Sequence, residues 1–391
     1  MAGDIASPVF KKTTTTMNKL LSTTMRLAVF AAMMLLTACS DDDNTAEPLK
    51  LSGVTTLADM NTTIAEASMG SFIAVHGEGL DKANIDSVRI NDIKIDLDEI
   101  YTENNVMYMK IPVKLAENVT DRMYIYNSLG CQELPLHVIA PDLKVDRMFN
   151  EYTAPGDTIM IYGQYFDLYE VDSINGYVSF DGQKTKIISR SDTHLTTKVP
   201  ANVKKNIKVS VGSTKFGVEA VCPGRYYDSE CMLMDFDNLK PSSMTNVVTD
   251  ENDKQRLSGN FLRIDQNSAW TGWWYIAEIG GTQVTDDMLD HPENYVVKCE
   301  FRTGNQFIDN KIRFCTYVFW AADPMIWSAS DFNVQNFNQW ETITLPWVVN
   351  RSDTYPENYR YHSFNIRIET EESYARNFAF DNFRICRKDG K

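Results

Sequence analysis

The chain has only five histidines in 391 residues, with no HExxH motif and no histidine cluster, and its seven cysteines form no CxxC pair. The ligand spacing of a zinc site is therefore missing. No GxSxG elbow and no Cys/His arrangement suited to nucleophilic catalysis is present either. Positive charge is scarce, since 38 Lys and Arg face 53 Asp and Glu for a formal charge of -15. Lys11, Lys12, Lys19 and Arg26 against Asp4 give the first 38 residues +3, so the remainder carries -18. A chain this acidic does not seek phosphate backbones, which excludes a nucleic-acid partner. Beyond residues 27–36 no apolar run approaches the roughly 20 residues that span a bilayer. Residues 51–221 hold no tryptophan at all.

What is present begins with "LAVFAAMMLL" at 27–36, preceded by Lys19 and Arg26 and followed by "LLTACSDDDN" at 35–44. This is the layout of a secretory signal, residues 1–38, with a natural start at Met17. Leu36, Thr37, Ala38 and Cys39 resemble the bacterial lipobox, whose cysteine thiol is acylated and becomes the mature N-terminus. Each buried methylene of such an anchor contributes roughly 0.8 kcal/mol, so several acyl chains hold a protein on a membrane. "CSDDDN" also resembles the export signal that sends Bacteroidota lipoproteins to the outside of the outer membrane. That resemblance implies a lipid-anchored chain on the extracellular face, with residues 39–50 as an acidic tether.

An internal repeat follows. "GSFIAVHGEGLD" at 70–81 aligns with "GDTIMIYGQYFD" at 156–167, "VRIND" at 88–92 with "VSFDG" at 178–182, and "KIP" at 110–112 with "KVP" at 198–200. Between these landmarks, short alternating runs rich in Val, Ile, Thr and Tyr are broken by Gly, Asn and Asp, the pattern of a small β-sandwich. Two copies of one all-β module are expected, 51–140 and 141–221. Gly77 to Leu80 and Gly163 to Phe166 resemble the "G-x-x-L/F" element of IPT/TIG domains, which are immunoglobulin-like sandwiches. The glycines are expected to supply a turn or a positive φ.

All seven tryptophans lie between 270 and 347. The region around them, 222–391, is again a series of strand-like runs with no convincing amphipathic helix, and reads as an antiparallel sandwich or jelly roll. "MDFDN" at 234–238, the strand with Trp340 and Pro346 at its ends, and "FAFDNFRI" at 378–385 resemble carbohydrate-binding jelly rolls. The whole plan resembles Bacteroidota surface glycan-binding lipoproteins, in the position of SusE/SusF or of SGBP-B type, encoded with polysaccharide-utilisation systems. The fold class expected is all-β: two tandem immunoglobulin-like (IPT/TIG) sandwiches followed by a jelly-roll-like carbohydrate-binding β-sandwich.

A pyranose presents flat C–H faces that suit the face of an indole, while its hydroxyls need polar neighbours. Strand alternation puts Tyr295, Val297, Cys299 and Phe301 on one face and Lys298, Glu300 and Arg302 on the other. In "GWWYIAEI" the same rule sets Trp274 with Glu278 on a polar face and Trp273 with Tyr275 and Ala277 in the core. Trp320 ends a strand, Trp270 and Trp327 fall in turn-like segments, and Trp340 and Trp347 bracket a core strand. The candidate glycan-binding residues are thus Trp270, Trp274, Trp320, Trp327, Arg313 and Glu278, with Glu300, Asn365 and Arg367 as further hydroxyl partners. The jelly-roll resemblance implies no cofactor beyond a structural calcium, for which Asp235, Asp237 and Asp381 are the weak candidates. Cys299 and Cys315 read as buried strand residues.

The function these features imply is a non-catalytic surface lipoprotein that binds a polysaccharide at the outer membrane and presents it to SusC/SusD-like transporter components and hydrolases. One alternative is a glycoside hydrolase or lyase, which needs two carboxylates about 5–10 Å apart. Glu278, Glu300, Asp323 and Asp331 are available for it. The other is a surface adhesin that uses the repeated modules for protein contacts.

Overall fold

The computed structural model describes residues 46–280, 284–307, 311–315, 325–332, 334, 336–348 and 363–388. For strand residues 266–276, 278, 280, 311–315, 325, 326, 363, 365 and 367–375 it describes the backbone alone. The signal segment, Cys39, Trp320 and Asp323 lie outside the described residues. The chain divides into two compact units, Met1–Pro112 with Asn118–Val138, and Val113–Glu117 with Ile139–Lys391.

The first unit is an antiparallel sandwich. One sheet runs in the order 63–64, Lys50–Thr56, Phe72–Glu78, Val106–Lys110, Tyr101–Glu103, and the other in the order Gly130–Pro135, Arg122–Asn127, Ser87–Ile90, Ile93–Ile95. Alternation explains its core: in "RMYIYN" Met123 and Ile125 are buried while Arg122, Tyr124 and Tyr126 face outward. Val54, Ile73, Val75, Val88 and Leu136 complete the apolar interior.

The second unit opens with a module of seven strands in the order Lys144–Met148, Thr158–Gln164, His194–Lys198, Gln183–Arg190, Gly176–Phe180, Ile207–Ser213, Val218–Tyr226. Strand Gln183–Arg190 pairs with Gly176–Phe180 through its first half and with His194–Lys198 through its second. A register shift between Ile187 and Ser189 marks where it passes from one sheet to the other.

The repeat is visible in the backbone as well as in the residues. Positive φ recurs at Gly70 (78°) and Gly156 (90°), at Gly79 (74°) and Tyr165 (67°), and at Asn91 (55°) and Asp181 (50°). The glycines of the "G-x-x-L/F" element serve a different purpose from the one expected. Neither Gly77 nor Gly163 has a positive φ; a Cβ on Gly77 would sit 2.5 Å from Lys50 O, and one on Gly163 would sit 2.2 Å from Lys144 O. Close approach of a neighbouring backbone therefore demands glycine there, and the left-handed residue comes two positions later.

The rest of the second unit is a jelly-roll-like antiparallel sandwich. Its main sheet runs in the order 247–248, Phe261–Gly280, Ser363–Arg387, Tyr295–Thr303, Glu341–Pro346, with Met232–Met234 also on the Ser363–Arg387 strand. That strand is 25 residues long and changes partner along its length. Residues 378–387 pair with Tyr295–Thr303, whereas 363–369 pair with Lys311–Cys315, which in turn pairs with Met325–Ser328. Phe301 sits among Phe307, Phe332 and Phe380 with ring centroids 4.7–5.2 Å apart, and this aromatic cluster anchors the core.

The opposite face of the main sheet corrects a sequence expectation. Lys298, Glu300 and Arg302 do alternate away from the core, but their face is covered by the preceding module. Arg384, fully buried, donates from Nη1 to Glu300 Oε2 (2.9 Å) and from Nη2 to both Glu300 Oε1 (3.0 Å) and Glu151 Oε2 (2.7 Å). Lys298 Nζ reaches Glu151 Oε1 at 2.5 Å, and Arg147 Nη2 reaches Glu341 Oε1 at 2.8 Å. Thr342 ties the two modules twice more, accepting from Glu151 N at 2.8 Å and donating its own N–H to Phe149 O at 2.9 Å. Burial alone would raise the Glu151 carboxyl, but Lys298 and Arg384 more than offset it and hold it below the usual range. Burial wins at Glu300, which is raised.

A depressed carboxyl contributes stability that is complete above its unfolded pKa and is lost as pH falls through the folded one. Wild type is therefore expected to lose stability as the pH falls below about 4.5, the ordinary Glu range. Glu151→Gln is expected to be less stable at pH 7 and to show a shallower acid limb. Melting temperature followed from pH 7 to pH 3 tests this; parallel curves would remove Glu151 as a source of acid sensitivity.

Candidate functional site

The tryptophans separate into buried and sheet-borne groups. Trp327, expected in a turn with its ring free, lies instead in strand Met325–Ser328 and is fully buried. Its indole N–H donates to Pro346 O at 2.9 Å, which satisfies the polar edge of a core ring. Trp327 is thus removed from the binding candidates. Trp347 is also buried, with its N–H on Met288 O at 2.7 Å. Trp340 is half-buried, edge-on to Phe261 at 5.7 Å and donating to Gln255 O at 2.6 Å.

Trp270 and Trp274 lie on the long strand Phe261–Gly280, together with Glu278. The register pairs Trp270 with Tyr374, Trp273 with Glu369, Trp274 with Ile368, Tyr275 with Arg367, Ala277 with Ile366, and Glu278 with Asn365. Cross-strand partners share a sheet face. A register shift between Tyr275 and Ala277 therefore interrupts the alternation that put Trp274 with Glu278. Register shifts also fall between Gln266 and Trp270 and between Trp270 and Gly272, so the parity of the core residues Leu262 and Ile264 does not set the face of Trp270; beyond Tyr275 the odd positions carry the core, as buried Ala277 shows. Trp274 thus holds the register position of Ile368, in step with buried Phe364 and Ile366, whereas Trp273 and Tyr275 hold those of Glu369 and Arg367. Nothing in "GWWYIAEI" marks this bulge in the sequence. Arg313 pairs with Ile326, next to Phe314, which pairs with buried Phe364.

Of the four carboxylates offered for hydrolysis, Glu300 and Asp331 are committed elsewhere; Asp323 and the Glu278 side chain lie outside the described residues. Glu300 is enclosed with Arg384, and Asp331 Oδ2 accepts the Ser328 N–H at 2.6 Å, closing a capping box. The three calcium candidates also do not form a ligand set. Asp235 Oδ1 takes the N–H groups of Asp237, Asn238 and Leu239 at 2.7–3.0 Å, and Asp237 Oδ1 takes that of Asn260 at 2.8 Å. Asp381 is buried with one carboxylate oxygen unsatisfied, and burial, then the neighbouring Glu300, pushes its carboxyl well above the usual range. Among the described residues no three His, Cys, Asp or Glu side chains converge as a metal would require. Cys131, Cys222, Cys231, Cys299 and Cys386 are free thiols, and all but Cys131 are buried.

An all-β chain with an immunoglobulin-like repeat and a tryptophan-rich terminal sandwich has the build of a carbohydrate-binding protein. Residues 226–387 match the family model of the surface glycan-binding protein B xyloglucan binding domain, and residues 144–223 match that of the IPT/TIG domain. The C-terminal sandwich is thus similar to a surface glycan-binding domain, and the module before it to an IPT/TIG domain. Among solved structures the chain is similar to the surface glycan-binding protein PbSGBP-B from Prevotella bryantii (16% identity, TM-score 0.56, covering 88% of this chain and 99% of that one). It also matches SGBP-B from a complex xyloglucan utilization locus in Bacteroides uniformis (14% identity, TM-score 0.48, 87% and 100% covered). No curated protein sequence matches the chain.

Proposed function

We propose that the chain is a surface lipoprotein, anchored through Cys39 in the outer membrane, that captures a polysaccharide on its C-terminal sandwich and presents it to SusC/SusD-like transporter components and neighbouring hydrolases. The observation that carries the reading is the match of residues 226–387 to a glycan-binding domain, in the same stretch that holds every tryptophan. The description of that domain supports xyloglucan as the first ligand to test. Trp270, Trp273, Tyr275 and Trp320 are the proposed stacking rings, with Glu278, Asn365, Arg367 and Arg313 as hydroxyl partners. Trp274 stands in reserve as the ring that simple alternation favours. Stacked rings need polar neighbours at their edges, and the register supplies them on the adjacent strand.

The test has two arms. Affinity electrophoresis of the purified chain in gels containing xyloglucan, mixed-linkage glucan, mannan or pectin is expected to show retardation in xyloglucan; free migration in every gel would overturn the binding reading. Cys39→Ala is expected to move the chain from the membrane fraction to the soluble one. Retention of that variant in the membrane fraction would discard the anchor and leave the glycan reading standing.

A further inference from the structure

The last strand of the IPT/TIG domain, Val218–Tyr226, and the segment after it form one wall of a cleft whose other wall is the C-terminal sandwich. The cleft encloses about 370 Å³, within the roughly 300–1,000 Å³ typical of small-molecule sites. None of the aromatic sheet residues proposed above lines it.

Its lining is polar and nearly charge-balanced. Arg225, Lys298 and Arg387 bring positive charge, Asp228 and Glu230 bring negative charge, and Glu151 neutralises Lys298 from behind. Arg225 Nη1 reaches Asn206 O at 3.3 Å, which leaves most of its five N–H donors for a guest. Asp228 is buried, with one carboxylate oxygen on the Glu230 N–H at 3.2 Å. Tyr295 and Met288 supply apolar surface on the sandwich side. Burial pushes the Cys231 thiol up to about 11, so that part of the wall is uncharged at neutral pH.

An anionic guest would face Asp228 and Glu230, and a cationic one would face Arg225 and Arg387. A vicinal diol suits both sets, because each hydroxyl donates to a carboxylate and accepts from a guanidinium. We propose that this cleft is a second carbohydrate subsite, which takes a neutral mono- or disaccharide unit, as a chain end or a branch, apart from the aromatic sheet. The proposal rests on the glycan-binding reading above. A chain held at two separated points gains affinity through effective concentration.

The experiment is a titration of the full chain, labelled at methionine methyls and tryptophan indoles, with cellobiose and with a xylogluco-oligosaccharide. The Met288 methyl signal is assigned through Met288→Leu. The Met288 signal is expected to shift saturably, and Arg225→Ala combined with Glu230→Ala is expected to weaken that response at least tenfold while the indole responses keep their midpoint. Circular dichroism melting of the double variant, expected to overlay wild type, separates lost contacts from lost fold. If the indoles respond and Met288 does not, or if Met288 responds equally in the double variant, the second subsite is overturned and the glycan reading stands. If neither signal moves with either sugar, the second subsite and the choice of xyloglucan both fall.

Discussion

Arg384→Ala is expected to remove about 3–5 kcal/mol of folding free energy from the unit that holds the IPT/TIG domain and the terminal sandwich, the usual cost of deleting one partner of a buried ion pair. The guanidinium is fully buried, with four hydrogen bonds of 2.7–3.0 Å to Glu300, Glu151 and Asn382 O, and it lies over the Tyr152 ring at 4.8 Å. Deleting it leaves two carboxylates out of water with only Lys298 and Thr342 to answer them. Arg384→Lys is expected to recover only part of the loss, because an ammonium cannot reproduce the planar fork that serves two carboxylates at once. Denaturant unfolding followed by tryptophan fluorescence reads this module directly, since all seven tryptophans lie at 270–347. A loss below about 1 kcal/mol, the level of an exposed pair, would show that the network contributes little.

That network also marks where sequence reading stops. Alternation placed Lys298, Glu300 and Arg302 away from the core correctly, as the burial of Val297, Cys299 and Phe301 shows. A charged outer face is ordinarily solvated, so the same reading offered Glu300 as a hydroxyl partner. Nothing local in "YVVKCEFRT" says that another module covers it; the covering residue, Glu151, stands 149 positions away from Glu300. The repeat was legible because its turns need left-handed residues and its strands need a bare Cα at a close crossing, and both leave marks in the sequence. Long-range burial leaves none. Trp327 shows the same limit: "ADPMIWSAS" is rich in small and turn-forming residues, yet its ring is enclosed through a strand pairing with Lys311–Cys315.

Exchanging Trp273 and Tyr275 for alanine is expected to weaken polysaccharide binding by about 5- to 150-fold for each ring, taking stacking at roughly 1–3 kcal/mol by analogy with aromatic stacking on bases. The expectation follows from register. Because the strand shifts by one residue between Tyr275 and Ala277, these two positions pair with Arg367 and Glu369, while Trp274 pairs with Ile368 in step with the core. Removing a ring whose role is to stack on a glycan costs affinity and little stability, so the melting temperature of both variants is expected to stay near that of wild type. Trp327→Ala provides the opposite pole: a fully buried indole bonded to Pro346 O is expected to cost about 3–5 kcal/mol of folding. Trp274→Ala is expected to fall with Trp327→Ala, losing stability ahead of affinity. Calorimetric titration with xyloglucan beside thermal melts of all four variants decides the matter. If Trp274→Ala lost affinity at an unchanged melting temperature while Trp273→Ala and Tyr275→Ala still bound, the bulge would not govern the binding face and simple alternation would.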